Sequence, residues 1–168
     1  MKISSGIFKN ISLDIQKNSN FRPTTAICRK SIFDTIGLIE GKSFLDLFSG
    51  SGIIGFEAAS KGAKNVSFVE MNRKYLNQII DNSKKIDYKN FTFLRRDVQR
   101  FIKKCDSFDI IFADPPYNIY DVNLFVENAL TKVNKGGFLV VECSAKESLE
   151  GYDKIAKFGE TNLVYWKV

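Results

Sequence analysis

One stretch, Ile110-Ile111-Phe112-Ala113-Asp114-Pro115-Pro116-Tyr117, combines residue types that could do chemistry. An apolar run too short for a membrane span stops at an acid, two prolines and an aromatic. The prolines lack N–H donors and fix φ, so the chain leaves any strand here as a stiff, extended segment. Such a segment holds the Asp114 carboxylate and the Pro115 carbonyl as fixed acceptors, with the Tyr117 ring alongside as a flat wall. Two acceptors and a stacking face suit an amino group on a planar base. A plain proline turn after a strand is the bland alternative.

Three more acids stand where predicted strands end. Asp46-Leu47-Phe48-Ser49-Gly50-Ser51-Gly52, completed by Gly55, contains G-x-G-x-x-G. Its glycines let backbone pass close under a ligand, and the helix that follows offers free N–H groups. Glu70 closes the next strand, where a carboxylate can take both hydroxyls of a ribose. Asp97 closes the third, placed to accept from an adenine amino group with Val98 beneath the ring. Asp114 closes the fourth. Each signal is weak alone, since a glycine loop followed by an acid could equally serve a nicotinamide cofactor. Asp46 shifts the balance: an acid just before the glycines would repel a pyrophosphate and suits a ligand carrying an ammonium or sulfonium.

Composition narrows the chemistry. The chain of 168 residues is 44% hydrophobic and 26% charged, ordinary for a soluble domain, and has no histidine. Histidine-based triads, general bases and metal sites are therefore excluded. Cys28, Cys105 and Cys143 are odd in number and far apart, which fits neither a disulfide framework nor a zinc site. Lys and Arg total 25 against 19 Asp and Glu, a net charge of +6 that inclines toward an anionic partner such as nucleic acid. No apolar run approaches a membrane helix and the N-terminus lacks a signal-peptide core, so a cytoplasmic location is expected.

The elements that must position these residues alternate along the chain. Residues 2–16 predict a short β-hairpin, and 26–36 a helix capped by Thr24 or Thr25 and ended at Gly37, with Arg29 and Lys30 on its polar side. Strands are expected at 43–48, 65–70, 91–94, 108–112 and 137–142, and helices at 52–60, 72–85, 98–104 and 122–132. Two strands, 153–158 and 163–168, close the chain as an antiparallel hairpin. The alternation implies βαβ units and a mostly parallel sheet with helices on both faces, a Rossmann-like α/β fold in which ligands bind beyond the carboxyl ends of the strands. A single domain over 1–168 is expected, with 1–20 as an N-terminal hairpin extension of a core over 21–168.

With these residues taken together, the sequence resembles the seven-stranded S-adenosylmethionine-dependent methyltransferases of the amino-methylating group marked by [DN]-P-P-[YF]. Within that group it is most similar to the 16S ribosomal RNA (guanine-966-N2)-methyltransferase family. Matching residues run through nearly the whole chain: Arg22-Pro23-Thr24-Thr25 with Arg29, Asp46 to Gly52, Gly55 with Glu57-Ala58, Val69-Glu70, Asp97-Val98, Asp114 to Tyr117, Gly136-Gly137, Glu142 and Phe158-Gly159-Glu160-Thr161. One departure stands out: the family's N-terminal hairpin is usually Arg/Gly-rich, whereas Gly6-Ile7-Phe8-Lys9-Asn10-Ile11 has lost most of that charge.

The resemblance implies S-adenosylmethionine as cofactor, S-adenosylhomocysteine as product and no metal. It assigns cofactor contacts to Thr24, Thr25, Asp46, Phe48, Ser49, Gly50, Gly52, Glu70, Met71, Asp97, Val98 and Asp114. Catalysis falls to Asp114, Pro115, Pro116 and Tyr117, and RNA contacts to Arg22, Arg29 and Tyr117. Lys9, Arg95, Arg96 and Arg100 could also reach phosphates. The implied partner is the small ribosomal subunit or its 16S RNA, with the enzyme a monomer and no membrane association. Two other activities share parts of this pattern: N6-adenine methylation of DNA or RNA, and nicotinamide-dependent oxidoreduction. The second needs a substrate domain and leaves Asp114–Tyr117 without a role. A non-catalytic module that keeps only the fold would not need the full set of acids.

Overall fold

The computed structural model describes residues 1–15, 24–116 and 121–168. Helix α1 (Ala26–Ile36) precedes a strict alternation of β1 (Ser43–Leu47), α2 (Ile53–Ser60), β2 (Asn65–Val69), α3 (Arg73–Ser83), β3 (Phe91–Leu94), α4 (Val98–Ile102), β4 (Phe108–Ala113), α5 (Val122–Leu130) and β5 (Val133–Ser144). Strands β6 (Lys154–Phe158) and β7 (Thr161–Lys167) follow without a helix between them. The seven strands form one sheet in the order β3-β2-β1-β4-β5-β7-β6. Strands β1 to β5 run parallel, while β7 pairs antiparallel with both β5 and β6. The order reverses between β1 and β4, which opens a crevice beyond their carboxyl ends.

Central strands buried on both faces must be apolar throughout, and their side chains sort by parity. Phe44, Ile110, Phe112 and Val140 join the core shared with α1, α2 and α3. Leu45, Leu47, Ile111, Ala113, Leu139, Val141 and Cys143 join the core with α4 and α5. Asp46 breaks the apolar run on the first face and is 2% exposed.

The helix starts follow local chemistry. Thr25, Asn72, Asp97 and Asp121 each cap a helix by accepting a backbone N–H, from Cys28, Lys74, Arg100 and Leu124 respectively. Helix α2 has no side-chain cap of this kind: Gly52 occupies that place at φ 74°. Instead the Asp46 carboxylate accepts the Gly55 N–H at 2.9 Å. Gly55 also permits close packing of α2 on β2, because a Cβ there would lie 2.3 Å from the Phe68 ring.

The expected N-terminal hairpin is reduced to one antiparallel bridge, Lys2 to Ser12. Ile3 and Leu13 are buried, but Ile7 is 78% exposed. The ladder cannot extend because residues 4–8 hydrogen-bond to α2 instead. Ser4 donates its N–H and hydroxyl to Glu57, and Ile7 and Phe8 donate their N–H groups to the Ser60 carbonyl and hydroxyl. Gly6 rests so close to the Ser60 carbonyl that a Cβ would overlap it at 2.0 Å. Strand β5 begins earlier than expected, at Val133, where a register shift opposite Phe108 and Ile110 absorbs extra residues between Val133 and Phe138.

Helix α1 also departs from expectation on one face. Arg29 is buried, with its guanidinium donating to Glu57 Oε1 at 3.1 Å and to the Thr24 carbonyl at 2.9 Å. The N-terminal arm covers the side of α1 that its sequence marks as polar. A guanidinium so committed is a strut between elements rather than an exposed phosphate contact.

Candidate active site

Register across the central strands brings the acids together. Asp46 pairs with Phe112 and Leu47 with Ala113, while Phe112 pairs with Val140 and Ala113 with Val141. One residue on, Asp114 just past the end of β4 and Glu142 within β5 come side by side, on the face that carries Asp46. They line a cavity of about 590 Å³, within the usual range for small-molecule sites, together with Thr24, Phe48, Ser49, Gly50, Glu70, Met71, Asp97, Val98, Pro115 and Pro116. Ile53, Ile54, Asn72, Tyr75 and Phe112 complete most of the wall.

The loop after β1 is stitched to the end of β2. The Ser49 hydroxyl donates to the Asp46 carbonyl at 2.7 Å and accepts the Val69 N–H at 3.1 Å. Glu70 accepts the Gly50 N–H on one oxygen at 3.0 Å and the Asn72 N–H on the other at 2.7 Å. Each oxygen keeps a lone pair for a ligand hydroxyl. Phe48 turns the chain with φ 56°, a backbone region rarely used by bulky residues, and its ring lies edge-on to Phe125.

Five carboxylates line the cavity (Asp46, Glu70, Asp97, Asp114 and Glu142), and no Lys or Arg does so among the described residues. In a chain of net charge +6 this is a sharp local reversal. Burial, and then the charges of Glu142 and Asp46, push the Asp114 carboxyl well above the usual carboxylate range. Burial also raises Asp46, opposed by the Gly55 N–H and reinforced by Glu70. Cys143, beside Glu142, is pushed up to about 11 by burial and then by Glu147, Glu142 and Asp114. The Asp46 carboxylate already fills the helix N-terminus that a phosphate would use. Among the described residues the lining is acidic, which disfavours the pyrophosphate of a nicotinamide dinucleotide.

Most of the expected site residues meet here. Thr25 and Gly52 are not part of the wall: Thr25 is exposed and spends its hydroxyl capping α1, and Gly52 serves as the turn into α2. Thr24 is the threonine that faces the cavity, and its hydroxyl donates to Glu142 Oε2 at 2.9 Å. Glu142, inside β5, lines the cavity although it is not among the expected cofactor contacts. Arg22 and Tyr117 lie outside the described residues. Arg95, Arg96 and Arg100 are exposed near the Asp97 end of the cavity, with Arg95 donating to the Met71 carbonyl at 3.3 Å. Among the described residues no group of three or more His, Cys, Asp or Glu side chains is arranged to hold a metal ion, and no helix is long and apolar enough to cross a membrane.

Comparison with known proteins gives a consistent result. The model of the family described as "Conserved hypothetical protein 95" matches residues 1–167. The chain is 30% identical over 152 residues to ribosomal RNA small subunit methyltransferase D of Buchnera aphidicola, covering 88% of this chain and 80% of that protein. It is 33% identical over 150 residues to the putative rRNA methyltransferase YlbH of Bacillus subtilis, covering 84% and 82%. The solved structure of the putative methyltransferase yhhF from Escherichia coli superposes with a TM-score of 0.83 at 22% identity, covering 98% of this chain and 96% of that one.

Proposed function

The chain belongs to the family described as "Conserved hypothetical protein 95", that of the small-subunit ribosomal RNA methyltransferases D, and from that premise we propose that it methylates the exocyclic N2 amine of a guanine in 16S ribosomal RNA. The observation that carries this reading is the Asp114-Pro115-Pro116 segment in the wall of a cavity lined by five carboxylates and, among the described residues, no Lys or Arg. The cavity residues fit S-adenosylmethionine, whose bound form supplies an electrophilic methyl on a cationic sulfur. Glu70 would hold the ribose hydroxyls, Asp97 and Val98 the adenine, and the Gly50 loop with Thr24 the methionine end.

The chain's own work is positioning. An exocyclic amine on guanine is a poor nucleophile because its lone pair is delocalised into the ring. Asp114 and the Pro115 carbonyl accept its two N–H hydrogens and turn the lone pair toward the methyl. The Asp114 carboxylate also stabilises the positive charge that develops on the nitrogen. The motif assigns Tyr117 to stack on the extruded base. No general base is required, since the proton can leave after transfer.

The deciding experiment supplies labelled S-adenosylmethionine with small ribosomal subunits lacking the modification and identifies the product nucleoside by mass spectrometry. N2-methylguanosine in 16S RNA is the expected result. N6-methyladenosine would keep the roles of Asp114 and the cofactor residues but move the substrate. Cofactor binding without methylation of any RNA or DNA would overturn the proposed substrate.

A further inference from the structure

We propose that Arg73, Arg95, Arg96 and Arg100 form a phosphate-docking ridge, which grips the RNA backbone beside the nucleotide whose base reaches Asp114. The inference rests on the reading of the chain as an enzyme of ribosomal RNA and names the surface that holds the substrate.

Strand register fixes where the ridge stands. Leu94 of β3 pairs with Val69 of β2, Val69 with Leu47 of β1, and Leu47 with Ala113 of β4, so the four make one row across the sheet. The residues that follow them are Arg95, Glu70, Phe48 and Asp114. Arg95 therefore leaves the sheet on the same edge as Asp114, three strand spacings away in the order β3-β2-β1-β4, or about 14 Å. Arg96 comes next, Arg100 lies in α4 just beyond, and Arg73 opens α3 after the neighbouring strand β2. All four arginines are exposed. The two loops are also tied together: Arg95 Nε donates to the Met71 carbonyl at 3.3 Å, and Arg96 Nη1 to the Arg95 carbonyl at 3.0 Å.

The charge of the ridge is not consumed inside the protein. Ion pairs among the described residues join Arg29 to Glu57, Lys30 to Asp34, Lys84 to Asp81 and Lys85 to Asp14. None involves a ridge arginine, and every Asp and Glu of the chain lies among the described residues. The acids of these two loops, Glu70 and Asp97, line the cavity and accept backbone N–H groups, from Gly50 and Asn72 and from Arg100 respectively. Met71, whose carbonyl Arg95 holds, is 59% exposed and offers an apolar surface to a ribose or base. Guanidinium groups engage phosphate oxygens in pairs of hydrogen bonds. A row of exposed arginines on two adjoining loops suits a polyanionic backbone, which touches several of them at once.

The test measures binding of naked 16S RNA, and of small ribosomal subunits lacking the modification, to the full chain between about 50 and 200 mM salt. Arg96→Gln/Arg100→Gln removes two charges from the ridge. Lys64→Gln/Lys135→Gln removes two exposed charges from the opposite edge, before β2 and at the start of β5, and so matches the change in net charge. The ridge pair should weaken RNA binding about tenfold or more and flatten the slope of log affinity against log salt by about 2, with S-adenosylmethionine affinity unchanged. The lysine pair should change RNA affinity less than about threefold, and Arg96→Lys/Arg100→Lys should restore most of the slope. Should the ridge pair fail to fold, Arg73→Gln on the other loop decides, with an expected flattening of about 1. Equal losses in the two glutamine pairs would reduce the effect to net charge and overturn the ridge. Unchanged RNA binding in the ridge pair, or wild-type binding to phosphatidylserine vesicles and to neither RNA, overturns it as well. Guanine methylation that persists with RNA binding indifferent to the ridge overturns the ridge and leaves the proposed reaction standing. Ridge-dependent RNA binding without any methyl transfer supports the ridge and overturns the reaction.

Discussion

Two sets of buried acids on the same face of the sheet are treated in opposite ways. Glu57 on α2 is fully buried and receives Ser4 N–H, the Ser4 and Ser5 hydroxyls and the Arg29 guanidinium. Its charge is neutralised by the protein itself. Asp46 receives one backbone N–H, Glu142 is met by a threonine hydroxyl, and Asp114 lies close to both acids with no hydrogen-bond donor on its carboxylate among the described residues. Among the described residues, folding gives the first arrangement its own cation, Arg29, and in the second crowds acids together. Acids crowded into a cavity cost stability, and positive charge is what a ligand can bring there. Glu57 is therefore architecture, and the cluster around Asp114 is the candidate binding site.

Breaking the compensated centre should give the largest effect. Glu57→Ala strands the buried Arg29 charge and removes the acceptor that fastens the N-terminal arm. A loss of about 3–5 kcal/mol in unfolding free energy is expected from denaturant titration. Survival with a loss below about 1 kcal/mol would mean that the arm and α1 are held by their apolar contacts alone.

At the crowded acidic centre the effect should move from stability to turnover. Asp114→Ala should bind S-adenosylmethionine within about tenfold of wild type yet lose at least about a hundredfold in methyl transfer. Full activity in that variant would remove Asp114 from the reaction. The isosteric Asp114→Asn sharpens the contrast through pH. With its folded-state carboxyl raised, Asp114 leaves stability untouched at acid pH, where it is protonated folded or unfolded. Its penalty appears as pH climbs from the ordinary carboxylate range through the raised folded value. Melting curves should show Asp114→Asn gaining on wild type as pH rises, with the difference vanishing in acid.

The smallest effect belongs to a single donor of the compensated centre. Ser4→Ala removes one hydroxyl from Glu57 but keeps the backbone N–H, and should cost about 1–2 kcal/mol with unchanged transfer at saturating cofactor. A fall in saturated turnover would show that the arm does more than brace α2.

Much of this was legible in the sequence because its signals are local. Alternating parity, caps and glycine punctuation located the strands and helices of the sheet, and strand ends marked Asp46, Glu70, Asp97 and Asp114. The failures all depend on contacts between distant segments. Arg29 occupies a helix side that its own sequence marks as solvated, and only the arm wrapping over α1 buries it. Which threonine of the Thr24-Thr25 pair faces the cavity turns on one residue of phase at the start of α1. Residues 2–16 alternate loosely enough to suggest a hairpin, but α2 offers the donors of residues 4–8 better acceptors than a facing strand does. Glu142 becomes meaningful only once β5 lies beside β4.

The bond from Asp46 to the Gly55 N–H binds two properties of the site into one position. The same carboxylate gives the cavity negative potential and anchors the first turn of α2, so charge and shape cannot be tuned separately there. A neutral residue at 46 would uncover the helix N-terminus and soften the glycine loop in one step, tilting the crevice toward anions. A preference for ligands of one sign is thereby written into the backbone, and any lineage or designer seeking the opposite sign must rebuild the turn along with the charge.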